Sequence, residues 1–128
     1  MELLKKTIYP SDQKTIYVSN TEDEYGGAHS YSVKYAAKFN EQTKQIDYNL
    51  GKAVKLDFLK KNEDGSWNEG LQSEQLLLVL INRHEKLNAK FPSKDGSRAI
   101  THMKKALWYL EKRTKEREGR KVVGELKK

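Results

Sequence analysis

The 128-residue sequence lacks cysteine and long apolar runs, and both absences restrict what the protein can be. Without cysteine there are no disulfides and no thiolate nucleophile, and an intracellular, reducing setting is compatible. Crossing a membrane would need an apolar run of about 18 residues. The first ten residues, MELLKKTIYP, also lack the apolar segment of a signal peptide. We therefore expect a soluble, cytoplasmic protein with no membrane partner.

Apolar residues are also scarce, and the positive charge is concentrated at one end. Only 36% of the residues are hydrophobic, and the mean hydropathy is −0.92, which predicts a small core that self-association could extend. The net charge is +7, and residues 93–128 carry the whole surplus. A neutral body with a basic end suggests an anionic partner, namely nucleic acid, nucleotide or phospholipid headgroup. The simpler interpretation is a lysine-rich tail that maintains solubility.

The first half of the chain predicts a β-meander over residues 15–60. Apolar and polar residues alternate from Tyr31 to Phe39, which is typical of a half-buried strand. A turn at residues 40–43 leads to a second strand, in which Gly51 indicates a bulge or bend. Residues 54–58 continue that strand or form a third one. The short segment Thr15–Val18 favours a weak edge strand.

The second half predicts a helical hairpin over residues 73–118. Ser73 is the expected N-cap of a first helix, which Phe91 and Pro92 end. Its apolar run, residues 76–81, would cover every side of a helix, so we expect it between the sheet and another helix or chain. A tight connection at residues 93–96 leads to a second helix over residues 97–118. The expected fold is α+β, a single domain over residues 1–128, with residues 119–128 as a tail.

The second helix carries the candidate binding residues. From Ala106 and Leu110, helical spacing leads to Arg113, Arg117 and Arg120. Guanidinium groups are planar forks of donors that grip phosphate with two hydrogen bonds, so this stripe predicts an anion site. The alternative is an ordinary solvated helix stabilised by pairs such as Glu111 with Lys115.

The same helix contains two adjacent aromatic residues, Trp108 and Tyr109. Adjacent positions point to different sides of a helix, so one is expected in the core. The other is expected at an interface or against a base.

Catalytic signatures are missing from the sequence. No strand–turn–helix nucleophile motif is present, and His29, His84 and His102 lack metal-ligand spacing. We therefore expect no enzymatic activity, no metal and no cofactor.

The stretch FPSKDGSRAITHMKKALWYLEKRTKEREGRKVVG resembles the C-terminal half of the first Thoeris anti-defence family of phages. This family shares its helical hairpin with phage anti-CBASS proteins that trap cyclic oligonucleotides. The similarity covers about a third of the chain. The matching segments are Ser93–Asp95, Ala99–Thr101, Ala106–Thr114, Arg117 with Arg120 and, more weakly, Gly26–His29.

The resemblance implies a ligand-sequestering protein without enzymatic activity, acting in the host bacterial cytoplasm. Family members bind the cyclic ADP-ribose isomers made by Thoeris TIR proteins and keep them intact, so the effector is never activated. Some members also bind CBASS cyclic trinucleotides at a separate site and assemble as hexamers, in which dimers are grouped around a threefold axis. The implied partners are therefore a glycocyclic ADP-ribose isomer and further copies of the chain, with no long nucleic acid.

The resemblance also implies which residues bind the ligand. The two key arginines of the family correspond to Arg113 and Arg117, which would clamp the pyrophosphate. Arg120, Phe91 and His29 are secondary candidates, with Phe91 in place of an aromatic that the family has where Lys86 stands. The family often has asparagine in the hairpin loop at the position of Gly96.

Two other functions remain open from the residues themselves. The basic helix could bind the phosphate backbone of nucleic acid, which predicts a steep dependence on salt. It could instead dock on an acidic surface of a protein partner.

Overall fold

The computed structural model describes residues 2–19 and 28–119, which form an antiparallel sheet followed by two helices. This confirms the predicted α+β class and the order of a meander before a helical pair. The strands are β1 (Glu2–Leu3), β2 (Ile16–Val18), β3 (Ser30–Asn40), β4 (Gln45–Asp57), β5 (Lys60–Lys61) and β6 (Trp67–Asn68). The helices are α1 (Ser73–Lys90) and α2 (Lys94–Gly119).

The main sheet has the strand order β1-β2-β3-β4, and every neighbouring pair is antiparallel. The prediction of an edge strand at residues 15–18 is wrong, because β1 pairs on the outer side of β2. A strand of two residues shows no alternation that sequence analysis could detect. The short β5–β6 hairpin forms a separate two-stranded sheet.

The pairing of β3 with β4 is regular near one end and irregular beyond it. Regular partners run from Ser30 opposite Asp57 to Lys34 opposite Ala53, after which the register shifts. Gly51 lies in the shifted part of β4, in agreement with the predicted bulge, and residues 54–57 continue the same strand. Side chains at residues 35–39 are exposed, so the predicted half-buried strand is half-buried only as far as Lys34.

The two helices form an antiparallel hairpin. Glu85 and Lys104 form an ion pair across it with an Oε2–Nζ distance of 3.2 Å. Nearer the loop, Asn88 Nδ2 donates to Ser97 Oγ at 3.1 Å. Ile81 of α1 and Ile100 of α2 are buried.

Hydrogen bonds at the helix starts correct two predicted boundaries. Gln72, and not Ser73, is the N-cap of α1, and its backbone N–H donates to Gln75 Oε1 at 3.0 Å. The second helix begins at Lys94, three residues before the predicted start. Ser93 Oγ accepts the backbone N–H of Gly96 at 2.8 Å, which satisfies a donor of the first turn.

The prediction that the apolar run of α1 is enclosed is wrong for a single copy of the chain. Leu78 is 59% exposed and Val79 is 63% exposed. Among the described residues, no strand of the sheet has a Cα atom within 8 Å of either helix. Neither described helix combines the length and apolar character that a bilayer span requires.

Candidate functional site

A cavity of about 650 Å³ lies between the four-stranded sheet and the helical hairpin. It remains open because the backbones of the sheet and the helices do not approach each other closely. Sites that bind small molecules have volumes of about 300–1,000 Å³, so this cavity is large enough for a nucleotide-sized ligand. The lining residues come from the sheet, the β4–α1 connection, the first turn of α1 and the last turns of α2.

One side of the cavity is an apolar patch on the sheet. Tyr31 and Leu56 are cross-strand partners, and Ile16 is the partner of Val33. Directly paired residues point to the same side of a sheet, so these four side chains share one face. All four line the cavity together with Leu4, whose backbone N–H donates to Ile16 O at 2.9 Å.

The opposite side is a stripe on the last turns of α2. Leu110, Arg113, Thr114 and Arg117 recur at helical spacing and all line the cavity. Arg113 is exposed and Arg117 is half-buried, and both residues belong to the wall. Residues four apart lie one above the other at a separation of about 6 Å along the helix. Two phosphates of one ligand can therefore be held by two successive turns.

The start of α1 reaches the cavity because Leu71 forms a parallel bridge with Phe58, just beyond the end of β4. Leu71 N donates to Asp57 O at 2.8 Å, and Leu59 N donates to Leu71 O at 3.0 Å. Gly70 permits this approach, because a Cβ atom there would lie 2.5 Å from the backbone carbon of Phe58. The next residues, Gln72, Ser73 and Glu74, then line the cavity.

His29 lies in the cavity wall just before β3. It is only 8% exposed, and its backbone carbonyl accepts the N–H of Phe58 at 2.8 Å. This places the predicted residue together with Arg113 and Arg117. The sequence spacing between residue 29 and the second helix gave no indication of this proximity.

Phe91 does not join these residues within one chain. It is the C-cap of α1, is 69% exposed, and has Lys90 Nζ 5.7 Å from its ring centroid. With a rise of about 1.5 Å per residue, about 28 Å of helix separates Lys94, at the start of α2, from Arg113. Arg120 lies outside the described residues, as do Gly26 and Gly27.

The prediction that either Trp108 or Tyr109 packs in the core is wrong. Trp108 is 55% exposed and Tyr109 is 62% exposed. Their rings contact each other edge to face with centroids 4.9 Å apart, and Lys112 Nζ lies 5.4 Å from the Trp108 centroid. Neither residue lines the cavity.

Trp67 and Glu74 also line the cavity, and neither is among the predicted site residues. Trp67 belongs to the two-residue strand β6, and Glu74 occupies the first turn of α1. The only signal for Glu74 was its favourable place at the start of a helix, where a carboxylate is stabilised by the helix dipole. No group of three potential metal-ligating side chains occurs within residues 2–19 and 28–119.

These features describe an α+β protein with an arginine-lined cavity between its sheet and its helical hairpin. Models of known protein families give no match to the sequence, and curated proteins show no significant similarity to it.

Proposed function

We propose that the protein binds a small anionic nucleotide in this cavity and sequesters it intact. One observation carries the proposal: Arg113 and Arg117, one turn apart, line a cavity of about 650 Å³ that aromatic side chains also line. Guanidinium forks suit phosphates, and aromatic rings suit a nucleobase. A nucleotide presents both groups within one molecule.

The ligand class in this proposal is the cyclic ADP-ribose isomers of Thoeris defence. The support is the resemblance of residues 91–124 to the first Thoeris anti-defence family of phages. The protein would then act in the cytoplasm of an infected bacterium. It would compete with the effector for the signal, which requires binding at roughly nanomolar Kd, or about −12 kcal/mol.

Sequestration requires no bond cleavage, so the wall residues serve as binding groups. The hydroxyl of Thr114, between the two arginines, donates to the backbone carbonyl of Leu110 at 3.1 Å. The proposal therefore assigns Thr114 to packing and gives the charge recognition to Arg113 and Arg117. His29 and Glu74 provide polar groups on the remaining sides.

Self-association is part of the proposal. The exposed Leu78 and Val79 on α1 form an apolar surface that a second copy of the chain can cover. Phe91 reaches a ligand near Arg113 only if it comes from another copy, because the two residues lie at opposite ends of the hairpin. A dimer that assembles further into a hexamer is what the resemblance implies.

The test is retention followed by heat release. The protein is mixed with a glycocyclic ADP-ribose isomer, unbound nucleotide is removed by filtration, and the retained protein is denatured by heat. We expect intact nucleotide in the released fraction, identified by mass spectrometry. A cleaved product would establish an enzyme instead, and absence of retention would refute the proposed function. A parallel experiment with a cyclic trinucleotide tests whether this chain also binds the second class of ligand that some family members bind.

The first prediction concerns the paired arginines. Arg113→Ala with Arg117→Ala should abolish retention, because hydrogen bonds to charged groups contribute about 1.5–3 kcal/mol each. The matched control is Lys112→Ala with Lys115→Ala, which removes the same charge from exposed positions outside the cavity wall. This control should retain the ligand as the wild type does. Isothermal titration calorimetry measures both, and equal losses in the two variants would contradict a defined site.

The same two double variants distinguish binding of a small nucleotide from binding of nucleic acid. If the helix binds the phosphate backbone of duplex DNA, replacement of either pair should weaken binding. Each lysine or arginine that contacts a phosphate releases a counterion from the DNA, so all four residues would contribute. Duplex binding that falls steeply with salt and equally in both variants would favour that alternative. We expect a weak salt dependence and one small ligand per site.

A further inference from the structure

Trp67 is placed on the rim of the cavity by a hairpin with almost no core of its own. Strands β5 and β6 have two residues each, and Lys61 is the cross-strand partner of Trp67. A two-stranded hairpin this short is marginally stable by itself. Its tryptophan is nevertheless 47% exposed while it lines the cavity, so much of the indole surface is not used for packing.

Hydrogen bonds in the turn hold this hairpin in one conformation. Asn62 N donates to Ser66 O at 2.8 Å, and Asn62 Nδ2 donates to Asn68 Oδ1 at 3.0 Å. Asp64 Oδ1 accepts the backbone N–H of Ser66 at 2.9 Å. The hydroxyl and N–H of Ser66 together lower the pKa of the Asp64 carboxyl below its ordinary value. The turn thus positions the residue that follows it, Trp67, before any ligand arrives.

The aromatic side chains of the cavity differ in how much of their surface is packed against other side chains. Tyr31 and Phe58 are half-buried and pack edge to face, with ring centroids 5.8 Å apart and planes at 88°. Lys61 Nζ lies over the Trp67 ring at 5.8 Å from its centroid, so a cation occupies one face of the indole. The opposite face of Trp67 is the surface best suited to stacking.

We infer that Trp67 stacks against a purine base of the ligand whose phosphates bind Arg113 and Arg117. This inference rests on the proposed function and specifies which part of the nucleotide the aromatic side recognises. A fused purine matches the two-ring indole in area, and base–aromatic stacking uses the exposed indole surface that the hairpin leaves unpacked. Within one chain, Trp67 is then the aromatic residue that contacts the base, because Phe91 lies at the opposite end of the hairpin from Arg113.

The test compares two tryptophan variants with a matched control. Trp67→Ala should weaken binding of a glycocyclic ADP-ribose isomer by about 5- to 150-fold, the range for loss of one base–aromatic stack. Trp67→Phe should restore most of the affinity, because phenylalanine keeps a stacking ring. Trp108→Ala removes a somewhat more exposed tryptophan outside the cavity and should leave the affinity unchanged. Calorimetry gives the affinities, and circular dichroism checks that each variant is folded.

Fluorescence provides a second readout that leaves Trp67 itself in place. In a Trp108→Phe protein the remaining tryptophan is Trp67. We expect the isomer to quench its emission, and inorganic pyrophosphate, which has no base, to leave it unchanged. Wild-type protein that retains no isomer would refute the proposed function and this inference together. Wild-type retention with an unchanged affinity in Trp67→Ala, or without quenching, would refute the inference alone.

Discussion

At the scale of single residues, two glycines permit close approaches of different kinds. At Gly70, an added Cβ atom would lie 2.5–2.6 Å from backbone atoms of residues 57–59. At Gly96, the nearest atom is the side-chain oxygen of Asn88 at 2.6 Å. The exposed Asn88 amide can rotate away with the loss of its hydrogen bonds to Ser93 N and Ser97 Oγ, whereas at Gly70 the paired backbone itself would have to move. The first glycine is therefore a strict requirement of the junction, and the second is not.

This difference gives a stability prediction. Gly70→Ala should lower the free energy of unfolding by about 1–3 kcal/mol, because the extra methyl forces the junction apart. Gly96→Ala should change it by about 1 kcal/mol or less, since alanine in a helix offsets the displaced Asn88. Urea denaturation followed by circular dichroism measures both. Equal effects of the two substitutions would show that the backbone near Gly70 can move to make room for a methyl group.

At the scale of elements, long periodic segments were predictable and short ones were not. The helices and strands β3 and β4 follow from their patterns, because many residues repeat one spacing. Strands β1, β5 and β6 have two residues each, which is too few for any pattern. The sequence pattern also placed residues 35–39 on a half-buried face, but that end of β3 is exposed, since β2 pairs only with residues 31–33 and the cavity wall does not extend beyond Val33 on this strand.

The residues of the candidate site also include some that the sequence could predict and some that it could not. Arg113 and Arg117 were identifiable because one helix carries both at a spacing of one turn. Trp67, Glu74 and His29 come from separate elements, and only the tertiary fold brings them to one cavity. The connection at Gly70 that joins these elements depends on space around a backbone, which no pattern of side chains encodes.

At the scale of the whole molecule, the small number of buried apolar side chains is the main feature. Among the described residues, those buried are Val18, Ile81 and Ile100. The exposed apolar side chains of α1 lie on an otherwise regular helix. Extending a small core across two chains is a common way to bury such a surface.

Self-association gives the prediction for the whole molecule. The wild type should have a mass in solution above the 14.9 kDa of one chain. Leu78→Glu with Val79→Glu should shift it towards the monomer, because burying two unpaired carboxylates is unfavourable. Size-exclusion chromatography with light scattering measures the mass. A monomeric wild type, or a double variant with unchanged mass, would show that this surface of α1 is not an interface.

The open space between the sheet and the helical hairpin also bears on how much a bound ligand would raise the free energy of unfolding. A molecule held there would touch the sheet, the first turn of α1 and the last turns of α2 at once, and it would bridge elements whose backbones stay apart within residues 2–19 and 28–119. Because it binds only the folded state, a ligand at a hundred times its Kd adds about 2.7 kcal/mol to the free energy of unfolding. If the protein binds the proposed ligand, we therefore expect the loaded form to be more heat-resistant than the empty one, a property that suits long-term storage of a ligand rather than its turnover.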